Sequence, residues 1–117
     1  MREQALVEIA SVLGAIKVPD NAKGARDACV KALVLAGWRC KTEVRVATRG
    51  DYRAGFVDIE AQKYGMEVGI EVDNRNPRTK SAVKLQCRSW LKVIATRGKP
   101  SITMREVDLH VALNVLQ

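Results

Sequence analysis

Between Gly55 and Asp73 the chain carries two strand-like runs separated by one turn signal, Tyr64-Gly65. This arrangement predicts a hairpin of Phe56–Lys63 with Met66–Asp73, set within a sheet. The second run alternates without a break: Met66, Val68, Ile70 and Val72 fall on one face, and Glu67, Gly69, Glu71 and Asp73 on the other. Glu71 and Asp73 therefore project from the same side, about 7 Å apart along the strand. A hairpin turning at Tyr64-Gly65 brings Asp58 of the preceding strand near them.

The flanking sequence supplies the rest of an α/β domain. Leu6, Ile9, Val12, Leu13 and Ile16 have helical spacing within Met1–Val18. Pro19-Asp20-Asn21 stops that helix and offers capping side chains to a second one, Ala22–Ala36, which Gly37 ends. Trp38–Val46 reads as a strand and 47–55 as a surface loop. Arg78–Arg88 reads as a helix and Leu91–Ala95 as an apolar strand. Thr103 and Glu106 have capping-box spacing, which predicts a final helix carrying Val107, Leu109, Val111, Leu113 and Leu116. The expected order is α-α-β-β-β-α-β-α in a single domain, residues 1–117.

A formal charge of +7 favours a polyanionic partner, nucleic acid before membrane. No apolar run approaches the roughly 20 residues of a spanning helix, and the N-terminus lacks a signal-type pattern, so a cytoplasmic protein is expected. Cys29, Cys40 and Cys87 form no CxxC pair and His110 is the sole histidine, which argues against structural zinc. His110 is expected to be structural within the last helix. Trp38 and Trp90 each open a strand and are expected to pack. The scattered aromatics make no base-stacking platform.

The acids carry the chemistry. Carboxylates crowded as Asp58, Glu71 and Asp73 would be repel one another, and a divalent cation relieves that repulsion. Mg²⁺ (or Mn²⁺) takes oxygen ligands and uses one or two protein carboxylates. Directly beyond lies a stretch, Arg75 to Arg105, with nine Lys/Arg and no acid. Lys80, Lys84 and Arg88 recur every four residues there, and Arg75 and Arg78 precede them. Such a stripe can track a phosphate backbone without reading bases. Arg49 and Arg53, in the loop before Asp58, could clamp the strand entering the site. Metal-holding acids beside phosphate-holding bases are what a metal-dependent DNA endonuclease requires.

The order helix, Gly-x-x-Asp58, Ile70-Glu71-Val72-Asp73 and basic helix resembles the PD-(D/E)xK nuclease superfamily. Within it, Lys23-Gly24-Ala-Arg-Asp27 followed by Ala36-Gly37-Trp38 looks most like small resolvase-type nucleases that cut branched DNA. The resemblance covers residues 22–96. It implies a restriction-endonuclease-like α-β-β-β-α-β core, with a mixed central sheet flanked by helices and with extra helices at both termini. It implies Mg²⁺-dependent hydrolysis of DNA, duplex or branched, Asp58 and Glu71 as metal ligands, Asp27 as a helix-borne acid, and a homodimer. The helices expected outside the core, residues 2–17 and 104–116, are apolar enough to build a dimer interface or, equally, to cover the sheet.

One position departs from the pattern: Asp73 stands where the superfamily has Lys. Lys80 or Lys84 could reach back from the helix to supply that charge, or Asp73 could serve as an extra ligand. Alternatively the site is degenerate and the protein binds nucleic acid without cutting it.

Overall fold

The computed structural model describes residues 1–117 as three helices around a six-stranded mixed sheet. The elements are α1 (Arg2–Gly14), β1 (Lys17–Val18), α2 (Ala22–Leu35), β2 (Arg39–Val46), β3 (Gly55–Lys63), β4 (Met66–Asp73), α3 (Thr79–Leu85), β5 (Leu91–Arg97) and β6 (Leu109–Val115). The strand order is β1-β6-β5-β4-β3-β2. β2, β3 and β4 pair antiparallel, while β4, β5, β6 and β1 run parallel. No helix is long and apolar enough to cross a membrane.

The predicted hairpin is present. Tyr64 and Gly65 both take positive φ (56° and 71°), the two-residue turn whose twist matches the flanking strands, and Lys63 pairs with Met66. α2 begins after Asn21, whose Oδ1 accepts from Gly24 N at 2.7 Å. A parallel β4–β5 pair needs a crossover, and α3 supplies it.

Each face of the sheet has its own apolar layer. Ala5, Ile9 and Leu13 of α1 and Ala25, Cys29 and Leu33 of α2 pack on Ile59, Val68, Ile70, Val93 and Val111. Ala82 and Leu85 of α3 pack on Val46, Val57, Trp90 and Ile94 across the other face. Trp38 and Trp90 are each 2% exposed, so both pack inside.

Four expectations are corrected. No C-terminal helix exists: Leu109–Val115 is a strand, parallel to β5. Its apolar residues recur at every second position, Leu109, Val111, Leu113 and Val115, which is strand spacing; the capping-box spacing at Thr103–Glu106 opens no helix. His110 consequently lies on a strand, where its Nε2 accepts from Met104 N at 3.2 Å. α1 stops at Gly14, because Lys17–Val18 leaves the helix to pair with β6. α3 ends at Leu85, so Arg88 lies beyond it and the three-residue stripe is not one helical face.

Candidate functional site

The site lies where β3 and β4 part. Their ladder runs from Lys63–Met66 to Ile59–Ile70 and stops one pair short of Asp58 and Glu71. The β2–β3 ladder likewise skips Glu43 opposite Asp58, and Glu43 has φ of 53°. Val57 packs under α3 whereas Ile59 packs under α1 and α2. Residues two apart on a regular strand share a face, so the alternation of β3 breaks at Asp58. Side chains close the gap: Asp58 N–H donates to Glu71 Oε2 at 3.0 Å, and Val72 N–H donates to Asp58 Oδ2 at 2.8 Å.

Glu71 is 1% exposed. Burial first, then hydrogen bonding and charge from the neighbouring Asp58 carboxyl, push its pKa up to about 8; Lys84 opposes this rise. Its Oε1 accepts no hydrogen bond of good geometry and has only the Lys84 ammonium against it. Lys84 also donates to Phe56 O at 3.0 Å. Gly55 makes that reach possible, since a Cβ there would stand 2.9 Å from Lys84 Cδ. Of the two candidate lysines, Lys84 meets the carboxylate pair, while Lys80 stays exposed.

Asp58 opens on the opposite side, toward α2. It borders a depression of about 270 Å³ lined by Ala22, Lys23, Arg26 and Glu43. Its negative charge joins burial in pushing the Cys29 thiol up to about 12. Asp27 is turned to its own helix, paired with Lys23 at 2.8 Å and Arg26 at 3.2 Å. Lys23 and Arg26 are the cations nearest Asp58 in that depression, although the basic block pointed elsewhere. The Lys23-to-Asp27 segment was their only sequence signal.

Asp73 serves α3. Its Oδ1 accepts from Ser81 Oγ at 2.7 Å and its Oδ2 from Arg78 N at 2.9 Å, with Arg78 Nε at 3.5 Å. Asp58, Glu71 and Asp73 do not close into a three-carboxylate group, and nowhere do three His, Cys, Asp or Glu side chains gather so as to hold a metal ion.

The remaining basic candidates divide. Arg49 is bound to Asp51 at 3.0 Å, and Arg88 lies 3.5 Å from Glu60 and donates to Arg45 O at 3.0 Å. Arg53 and Arg75 are exposed. Glu60, which the sequence reading passed over, is buried on the α3 face and accepts from Trp90 Nε1 at 2.8 Å.

Compared with known protein families and with curated proteins, the chain matches none.

Proposed function

We propose that this protein is a metal-dependent endonuclease hydrolysing DNA phosphodiesters, with a restriction-endonuclease-like core formed by α2-β2-β3-β4-α3-β5. The observation that carries the reading is the contact of Lys84 with Glu71 beside Asp58 at the strand fork. The lysine that the PD-(D/E)xK pattern has at position 73 is thereby supplied from α3.

The donor set suits a hard divalent cation, Mg²⁺ or Mn²⁺: two carboxyl groups touch, with the Lys84 ammonium against Oε1 of Glu71. When bound there, such an ion supplies Lewis-acid polarisation of the phosphoryl group. Asp58 and Glu71 would hold it, and Glu71 would have to be ionised to do so. Lys84 would set positive charge against the Glu71 carboxyl, on the side of the pair that faces α3. Asp73 is spent on α3 and is not a ligand in this scheme. Lys23 and Arg26 flank the depression into which a phosphate would enter. Contacts of this kind read backbone rather than bases, which suits duplex or branched DNA, the latter cut by two copies.

A second reading, DNA binding without cleavage, is favoured by the burial of Glu71 and by the lack of a third carboxylate beside the pair. Labelled duplex, single-stranded and four-way-junction DNA, incubated with Mg²⁺, Mn²⁺ or EDTA, separates the two. Cleavage that requires metal and disappears in Glu71→Ala supports the nuclease. Binding without cleavage under either metal supports the second reading.

A further inference from the structure

We infer that DNA bound at the Asp58–Glu71 pair continues along the carboxyl ends of the parallel strands, its phosphates held in a cationic trough that reaches Arg75 and Lys99. This rests on the nuclease reading and adds the path of the substrate.

β4, β5, β6 and β1 all end at one edge of the sheet, at Asp73, Arg97, Val115 and Val18. The carboxyl edge of a parallel sheet is where open α/β folds form their crevices. Here three depressions adjoin. The first is that of Asp58, with Lys23 and Arg26. The second, about 150 Å³, shares Ala22 with the first and is lined by Val72, Asp73, Asn74, Arg78 and Arg97. The third, about 360 Å³, shares Asn74 and Arg97 with the second and adds Arg75, Lys99 and Asp20.

Along this line Lys23, Arg26, Arg78 and Arg97 are each paired with an acid, and the free positive charge lies at Arg75 and Lys99. Arg75 and Lys99 are exposed and pair with no acid. Arg97 is largely buried and fixed by Asp20 at 3.4 Å, which sets a rigid cation between them. At the seam of the first two depressions stands the N-terminus of α2. Asn21 caps Gly24 N there, and the helix dipole adds positive charge at that end.

Ile94 is the β5 partner of Glu71, and Arg97 lies three residues farther along, about 10 Å at about 3.3 Å per residue.

The test is fluorescence anisotropy of a labelled DNA duplex titrated with full-length protein in EDTA, over a range of NaCl concentrations. Arg75→Ala/Lys99→Ala removes two exposed cations that pair with no acid. The trough requires the slope of log K against log salt to become shallower by about 1.8, with affinity at low salt falling about ten-fold or more. Arg75→Glu/Lys99→Glu must weaken binding further. A double-alanine variant with the wild-type slope and affinity overturns the trough. Metal-dependent cleavage by the wild-type protein, measured on the same duplex, reports separately on the nuclease reading. Cleavage with an unchanged slope in the variant would sink the trough alone, whereas a wild-type protein that binds no DNA would sink both.

Discussion

Asp58 and Glu71, thirteen residues apart on neighbouring strands, hydrogen-bond across the point where those strands stop pairing. Asp58 N–H reaches the Glu71 carboxyl, and the Asp58 carboxyl receives Val72 N–H. The two acids thus replace a missing rung of the sheet, and this holds them in contact. Function and architecture share the same atoms there.

That contact makes stability depend on pH. Folding raises the Glu71 carboxyl from an ordinary 4.5 to about 8. The protonated folded form is therefore favoured: the contribution is complete below about 4.5 and is lost as pH rises through about 8. Within that window one proton changes stability by up to about 1.4 kcal/mol per pH unit. Glu71→Gln mimics the protonated acid and removes this slope. Urea midpoints of both proteins at pH 5.5, 7.0 and 8.5 in EDTA should show the variant gaining on the wild type as pH rises. A gap independent of pH would reject the assignment.

Lys84 should be separable from Lys80. Lys84→Met removes the ammonium facing Glu71 and the bond to Phe56 O, with little change in side-chain bulk. If Lys84 stabilises charge developing at the phosphate, single-turnover cleavage falls about a hundred-fold or more, while DNA affinity in EDTA changes by no more than a few-fold. Lys80→Met, on an exposed side chain, should leave the cleavage rate near wild type. The reverse pattern would give the catalytic role to Lys80.

Restoring the superfamily lysine at position 73 should harm this protein. The Asp73 side chain is 1% exposed and anchors the start of α3 through Ser81 and Arg78 N. Asp73→Lys would bury an ammonium where two donors now point, at a cost of about 3–5 kcal/mol. Asp73→Asn keeps one acceptor and should cost about 1–2 kcal/mol. Chemical denaturation of both variants checks the order. A stable, more active Asp73→Lys protein would mean that the lysine from α3 is only a partial substitute.

The hairpin and the proximity of its acids were legible because both follow from period-two alternation around one turn, which needs no tertiary context. The division of labour among the acids was not. Glu71 and Asp73 share a face, yet Lys84 meets the first while Ser81 takes the second, and that depends on how α3 docks. The break in β3 at Asp58 was equally hidden, since Phe56–Lys63 gives no turn residue to mark it. At the C-terminus the strand spacing of Leu109, Val111, Leu113 and Val115 was on the page, but the capping-box spacing at Thr103–Glu106 outweighed it. The basic block misled for a related reason: counting charges along the chain ignores that Lys84 and Arg88 turn inward to buried acids.

A last prediction concerns the opposite end of the hairpin, far from the carboxylate pair. Glu8 on α1 gathers three donors: Lys63 Nζ at 2.5 Å and Trp38 Nε1 at 3.0 Å on Oε1, and Tyr64 OH at 3.0 Å on Oε2. Lys63 also donates to Ala36 O at 2.6 Å, so one cluster ties the β3–β4 turn to both α1 and the end of α2. Glu8→Ala would leave the indole N–H of the buried Trp38 without a partner, costing about 1–3 kcal/mol. Glu8→Gln keeps an acceptor for Trp38 and should cost less. The hydrogen bond from Lys63, ahead of those from Tyr64 and Trp38, holds the Glu8 carboxyl below its ordinary range, so its contribution is present above about 4.5 and is lost as pH falls through the lowered value. Thermal melts should therefore separate wild type from Glu8→Ala clearly at pH 7 and narrow the gap under acid. Metal-dependent cleavage per folded molecule should be unchanged in both variants, because the cluster holds the frame and touches no residue of the site.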